Sequence, residues 1–262
     1  MKKKILIIGG TGFLGYHLAH KCILKGWEVT SLSKSKPKKI RFLPKVKYLL
    51  LDITKKKSIR EKVSCNYDYI VNFAGHPRHS DRLKTYSSHY VGCKNIVDFF
   101  LNKKIKLFIQ IGSCYEYEGN KISHKEDQQT NIKKLKSIYG KAKLAATNYL
   151  LKKIRKKNFP CIILRPYWVY GPKQDFNRFM PIIIRGCLQN SHFSCSAGTQ
   201  YRDFVYIDDF ISAIFKSLKN KNLIGHVFNV GSGKTTKIKK IIILINFLIK
   251  SGKPDFGKIK LR

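Results

Sequence analysis

A chain of 262 residues is long enough to bury a full core and suits one large or two small domains. Hydrophobic residues make up 43% and aromatics 12%, which excludes a disordered chain, and no apolar run reaches the roughly 20 residues of a membrane-spanning helix. The formal net charge of +38 raises nucleic-acid binding, but the lysines are spread along the whole chain and arginine is much scarcer. No helix-turn-helix, zinc-finger or RNP-type pattern occurs, so no specific nucleic-acid partner is expected.

Residues 2–4 are basic and 5–8 apolar, but the run meets glycines and has no small-residue cleavage site, so 4–8 reads as a strand and not a signal peptide. Gly9-Gly10-Thr11-Gly12-Phe13-Leu14-Gly15 follows, then a helix over 13–25 that stops at Gly26. Residues 28–32 form the next strand, 34–41 a basic loop with Pro37, and 46–51 a strand ending at Asp52. Residues 69–73 are a strand ending at Ala74-Gly75, 83–101 a long helix, and 107–111 a strand ending at Gly112-Ser113. A helix over 138–154 and a strand over 161–164 complete the alternation. Short apolar strands alternating with helices predict an α/β fold, a Rossmann-type doubly wound parallel sheet.

After Arg165-Pro166 the alternation weakens. There remain an apolar helix over 179–188, short strands over 205–207 and 227–230, and a last helix over 237–249 that is apolar on most sides and so needs covering on most faces. Residues 1–166 with about 200–232 are expected to form a dinucleotide-binding domain, and 167–199 with 233–262 a small substrate-binding part. Seven widely spaced cysteines without a C-x-x-C fit neither a disulfide framework nor a zinc ribbon, and make a reducing cytoplasm the simplest compartment.

The glycine run lies between a strand and a helix, as a dinucleotide cradle requires. Gly9 permits the turn, Gly12 lets backbone approach a pyrophosphate, and Gly15 allows close helix–strand packing, while the helix N-terminus at Phe13 offers free N–H groups. The carboxylate that would hold an adenosine ribose 2′-hydroxyl is missing from the end of the second strand. Ser33 and Lys34, helped by Lys36 or Arg41, are expected to receive a 2′-phosphate instead, so NADP(H) is preferred with NAD(H) as the alternative. Asp52 is placed to touch the adenine amino group. In Tyr139-Gly140-Lys141-Ala142-Lys143 the tyrosine and second lysine share one helix face, so the ammonium can stabilise a phenolate for proton transfer. Ser113, at the carboxyl end of a strand, can polarise a reacting carbonyl.

These motifs, in this order, resemble the extended short-chain dehydrogenase/reductases, specifically the nucleotide-sugar epimerase/dehydratase group. The resemblance is carried further by Asp52-Ile53, Asn72-Phe73-Ala74-Gly75, Gly112-Ser113-Cys114-Tyr115-Glu116-Tyr117 and Leu164-Arg165-Pro166-Tyr167-Trp168-Val169-Tyr170-Gly171-Pro172. Arg202-Asp203-Phe204-Val205-Tyr206-Ile207-Asp208-Asp209 and Asn229-Val230-Gly231-Ser232-Gly233 complete it, so that it covers almost the whole chain. It implies a catalytic trio of Ser113, Tyr139 and Lys143. It implies NAD(P) contacts from Gly9, Gly12, Phe13, Leu14, Gly15, Ser33, Lys34, Asp52, Ile53, Ala74, Gly75, Tyr139 and Lys143. It also implies nucleotide-sugar contacts from Arg202 and Asp203, a passage between domains beginning at Arg165 and Pro166, and a homodimer. The dehydratases of this group carry an Asp-Glu pair where this chain has Cys114 and Tyr115, which argues against 4,6-dehydration. Tyr-Gly is usual at Tyr117-Glu118, and an Asn of the long helix is replaced by His89. The chain ends sooner than most members, so the substrate-binding part is expected to be C-terminally incomplete.

Three motifs lead elsewhere. Gly231-Ser232-Gly233-Lys234-Thr235 resembles the end of a P-loop, but the required first glycine falls on Phe228, so it reads as a turn. His17 with His20, and His76 with His79, lack further ligands, so no metal is expected. Cys114 reads as a packed cysteine. The expected function is hydride transfer between NAD(P) and a nucleotide-linked sugar, giving epimerisation through a transient ketone or reduction of a ketosugar. The alternative is a weakly active or inactive basic Rossmann protein that binds a dinucleotide or RNA. Association of the last helix with a membrane surface through its flanking lysines is the third reading.

Overall fold

The computed structural model describes residues 2–77, 80–117 and 123–260. The chain opens with strand β1 (Lys4–Ile8), helix α1 (Phe13–Leu24) and strand β2 (Glu28–Ser33), then β3 (Val46–Leu50), α2 (Lys56–Lys62) and β4 (Tyr69–Asn72). Helix α3 (Arg82–Tyr86) runs through a wide π turn (Ser87–Val91) into α4 (Gly92–Phe100), followed by β5 (Leu107–Ile111), a 3-10 turn (Cys114–Tyr117), α5 (Ile138–Lys157) and β6 (Cys161–Pro166). The expected helix over 83–101 is therefore one path with a π turn inside it.

Beyond β6 come β7 (Trp168–Tyr170), α6 (Phe179–Leu188), β8 (His192–Ser194), β9 (Tyr201–Tyr206) and α7 (Ile207–Lys219). The chain continues with β10 (Val227–Val230), β11 (Thr235–Lys237), α8 (Ile238–Ile249) and β12 (Lys253–Asp255). In α7 the apolar residues Ile207, Phe210, Ile211, Ile214, Phe215 and Leu218 make a helical stripe, where the sequence reading has only a strand over 205–207.

The chain divides into two compact units: the chain up to Pro166 together with Asp208–Val230, and Tyr167–Ile207 together with Gly231–Arg262. The expected division gave about 200–232 to the first unit. The difference arises because β9 pairs with β7 and β11 in a three-stranded sheet of the second unit.

The first unit holds a seven-stranded sheet in the order β10-β6-β5-β4-β1-β2-β3, parallel at every pairing. From β3 the chain crosses to the far side of β1 to make β4, so the winding reverses between β1 and β4, and such a reversal opens a crevice at the carboxyl ends of the strands. The strands are buried on both faces, which explains their continuous apolar sequence: Ile5, Leu6, Ile7, Ile8, Ile70, Val71, Phe108, Ile109, Ile162 and Ile163 have no exposed surface. Each such side chain contributes about 1.5–3 kcal/mol relative to exposure. Helix α5 is capped at both ends: the Ser137 hydroxyl accepts the Gly140 N–H at 3.0 Å, and Asn158 closes the other end in a left-handed conformation (φ 49°).

The second unit has its own smaller core of Ile183, Cys187, Cys195, Ile238 and Ile242. Helix α8 corrects an expectation. Only Ile238 and Ile242 are buried on it, while Ile243, Leu244, Phe247 and Leu248 are exposed, because α8 packs one face against α6 and β12. No helix among the described residues is long and apolar enough to cross a membrane. All seven cysteines are free.

Candidate active site

The loop after β1 is shaped by two glycines. Gly9 turns with φ +80°, a conformation that L side chains rarely adopt, and its N–H bonds the Leu32 carbonyl at 2.7 Å. A Cβ on Gly15 would lie 2.5 Å from the Gly9 carbonyl oxygen and 2.6 Å from Gly10 Cα, so α1 meets the loop only because that side chain is absent. Gly12 ends the loop extended, with no side-chain cap and no acidic residue in the first turn of α1. The N–H groups around Phe13 and Leu14 therefore remain available to an anion, and this end of α1 carries the positive pole of the helix dipole. Such a bare, uncapped helix start beside β1 fits the diphosphate of a dinucleotide.

Next to the cradle, β2 ends in buried Ser33, whose hydroxyl accepts the Thr11 N–H at 3.3 Å. Lys34 is 78% exposed and reaches Asp52 at 2.9 Å. Burial pushes the Asp52 carboxyl up, but Lys34 and hydrogen bonds from Thr54 outweigh it and bring it to about 2. Asn95 of α4 bonds the Ile53 and Thr54 carbonyls at 3.0 Å each and fixes the loop after β3. After β4, the Ala74 N–H bonds the Asn72 side chain at 3.0 Å, and a Cβ on Gly75 would run into the His89 ring at 1.7 Å.

The second group of residues gathers at the end of β5. Ser113 is 5% exposed, and its hydroxyl accepts the Tyr115 N–H at 3.2 Å. Lys143, one helical turn after Tyr139 on α5, is 4% exposed and donates from Nζ to the Ile111 carbonyl at 2.6 Å. Its Nζ lies 5.8 Å from the centroid of the Tyr139 ring. Burial lowers the Lys143 ammonium to about 8, opposed by Glu116 and Cys93. Burial also raises the Tyr139 phenol, opposed by a hydrogen bond with Ser113. Ser113, Tyr139 and Lys143 thus form one cluster at the carboxyl edge of the sheet, the edge that carries the glycine loop.

Three neighbours of this cluster, His89, Glu116 and Arg165, are given no part in the proton-transfer centre by the sequence reading. His89, on the π turn, meets the Tyr139 ring edge-on with centroids 5.0 Å apart. Glu116 and Arg165 form a buried ion pair at 2.8 Å directly behind Ser113. Charged residues in otherwise apolar stretches, Glu116 beside a strand end and Arg165 inside Cys161–Pro166, were the available signal, since buried charges need partners.

Arg202 and Asp203 belong to the second unit. Arg202 donates to the Tyr201 carbonyl at 2.6 Å, with its guanidinium 5.2 Å from the Trp168 ring centroid. Asp203 accepts the N–H groups of Ser232 (2.8 Å) and Gly233 (3.0 Å) and so holds the turn that mimics a P-loop. The Cys114 residue is half-buried in the 3-10 turn. His79 and Glu118 lie outside the described residues, among which no group of three or more metal-ligating side chains occurs.

A model of the NAD dependent epimerase/dehydratase family matches residues 5–231. CDP-abequose synthase of Salmonella muenchen is 28% identical over 281 residues, covering 100% of this chain and 86% of that protein. dTDP-D-glucose 4,6-dehydratase of Dictyostelium discoideum is 27% identical over 266 residues, 88% of this chain and 58% of that protein. The crystal structure of UDP-glucuronic acid 4-epimerase from Bacillus cereus, in complex with UDP-glucuronic acid and NAD, superimposes with a TM-score of 0.85 at 24% identity, covering 98% of this chain and 86% of that one. At that identity the likeness speaks for the fold.

Proposed function

The chain belongs to the NAD dependent epimerase/dehydratase family, and from that premise we propose that it oxidises and reduces a carbon of a nucleotide-linked sugar, with Ser113, Tyr139 and Lys143 as its proton-transfer centre. The observation that carries this reading is the buried Lys143, anchored on the last carbonyl of β5 with its ammonium beside the Tyr139 ring. A dinucleotide held at the glycine loop would supply or accept the hydride.

Tyr139 takes the proton from the sugar hydroxyl, or returns it to the carbonyl oxygen. Bringing a phenol from about 10 to near 7 requires about 4 kcal/mol of preferential phenolate stabilisation. Burial works against this, while the Ser113 hydrogen bond and the Lys143 ammonium favour it. With its ammonium near 8, Lys143 is largely charged at neutral pH. Ser113 donates to the reacting oxygen and polarises it.

The outcome is epimerisation through a ketone, or reduction of a ketosugar. Dehydration is disfavoured because Cys114 and Tyr115 follow Ser113 and the next carboxylate, Glu116, is turned under the site onto Arg165. Arg202 and Asp203 are proposed to serve the sugar nucleotide from the second unit.

NADP(H) is the proposed cofactor form, with Ser33 and Lys34 at the end of β2 receiving the 2′-phosphate. Lys34, the exposed member of its pair with Asp52, would exchange that carboxylate for the phosphate. Titrating NADH and NADPH separately by fluorescence tests the preference, and tighter NADH binding rejects it. For the reaction, nucleotide sugars are incubated with each cofactor and the sugar products followed by NMR. A changed sugar in the wild type, absent with Tyr139→Phe, supports the reading, while equal conversion by both rejects it.

A further inference from the structure

One buried carboxylate takes no part in the chemistry just described. Glu116 has no exposed surface, and a carboxylate removed from water needs donors on both oxygens. It has them: the Ser113 N–H donates to Oε1 at 2.9 Å and Arg165 Nε to Oε2 at 2.8 Å. Arg165, 3% exposed, donates from Nη1 to the Tyr117 hydroxyl at 2.6 Å, and that hydroxyl donates to Asn229 Oδ1 of β10 at 2.9 Å. The strand end leaves room for the pair. A Cβ on Gly112 would lie 2.5 Å from Glu116 Oε1 and 3.1 Å from Arg165 Cγ. Ser113 is therefore held from beneath by a charge network that ties the turn after β5 to strands β6 and β10.

We propose that Glu116, resting on Arg165, is a positioning residue of the proton-transfer centre: it fixes Ser113 toward Tyr139 and balances the charge of Lys143. This rests on the reading of Ser113, Tyr139 and Lys143 given above. Lys143 is faced by Tyr139 on its own helix, the Ile111 carbonyl of β5, Cys93 of α4 and Glu116. Tyr139 is faced by Ser113, Cys114, Tyr115 and Glu116, and by His89 of the π turn. Burial raises the Cys93 thiol to about 12, so it is neutral when Lys143 titrates, and the negative charge near the ammonium is that of Glu116. Glu116 thereby works against the burial that lowers Lys143.

The test reads Lys143 directly in the cofactor-free protein, by NMR of isotopically labelled lysine, with Lys143→Met to assign the signal. Glu116→Gln deletes the carboxylate charge and leaves the Arg165 guanidinium unbalanced, so the Lys143 midpoint should fall by about one pH unit. The double variant Glu116→Gln with Arg165→Gln should fall less. Glu116→Asp keeps the charge on an arm too short to hold both partners. Its midpoint should stay close to the wild-type value while turnover drops about tenfold to a hundredfold through misplacement of Ser113. A midpoint unmoved in Glu116→Gln, with only the denaturation midpoint lowered, reduces the pair to a structural brace and overturns the proposal. If Glu116→Gln does not fold, a midpoint in Glu116→Asp shifted by a full unit, or wild-type turnover in that variant, overturns it as well. Tyr139→Phe separates the two levels: retained turnover there rejects the proton-transfer centre itself. Lost turnover there, with Glu116→Gln equal to wild type in midpoint and rate, rejects the positioning role alone.

Discussion

The floor beneath Ser113 and the rim at the ends of β2 and β3 each hold an ion pair, and the two pairs obey different physics. On the floor, Glu116 and Arg165 meet at 2.8 Å with side chains 0% and 3% exposed. On the rim, Lys34 and Asp52 meet at 2.9 Å with side chains 78% and 22% exposed. Water screens the rim pair, so either partner can leave it for a ligand at little cost. The floor pair has no water to fall back on, so neither partner can be removed without stranding the other. A buried pair fixes geometry, whereas an exposed pair can be exchanged for a ligand.

The largest expected effect comes from breaking the floor. Arg165→Met strands the Glu116 carboxylate and should cost about 3–5 kcal/mol, read from the urea midpoint. A loss below 1 kcal/mol would mean that water reaches the pair and that floor and rim are alike. Next comes the cradle that adjoins the rim. Gly15→Ala puts a methyl against the Gly9 carbonyl and Gly10 Cα, which should cost about 1–3 kcal/mol and weaken dinucleotide binding more than tenfold, by calorimetry. Unchanged affinity would remove the cradle from the account.

The pH dependence sharpens the contrast. The folded-state midpoint of Lys143 is near 8, below the 10.5 of free lysine, because burial disfavours its charge. As pH rises through about 8 the ammonium is lost, and turnover should fall with it. The folded protein releases this proton before the unfolded chain does, so the group's contribution to stability grows from about pH 8 and is fully present above 10.5. Subtracting the urea-midpoint profile of Lys143→Met from that of the wild type isolates this rise; a flat difference would contradict it. The smallest effect belongs to the rim: Lys34→Ala should change stability by less than about 1 kcal/mol while weakening NADPH binding several-fold relative to NADH. A large loss of stability would show that the rim pair is structural after all.

What could be read from the sequence follows the same division. The glycine loop and the Tyr139/Lys143 pair are local patterns, set by a turn and by one helical repeat, and their placement at strand ends was legible from the alternation of apolar segments. Contacts between distant segments were not: Glu116 meets Arg165 across 49 residues, and His89 reaches Tyr139 from a π turn that breaks the expected helical phase. The second unit was the least legible. Its strands β7, β9 and β11 have three to six residues each, and β9 and β11 pair antiparallel across an intervening helix and strand of the first unit. Helix α7 is missed for another reason: its apolar stripe over Ile207–Leu218 is regular, but the strand expected over 205–207 takes its first residue and the sequence reading places no element on the rest.

The central claim is that the Tyr139 phenol, set by Ser113 and Lys143, moves the proton in a redox reaction on a nucleotide-linked sugar. The most direct measurement is single-turnover conversion of UDP-, dTDP- and CDP-sugars by wild type and Tyr139→Phe, each saturated with the cofactor form it binds. The rate should be at least about a hundredfold lower in the variant, with cofactor affinity unchanged; matching rates would rule out proton transfer by Tyr139.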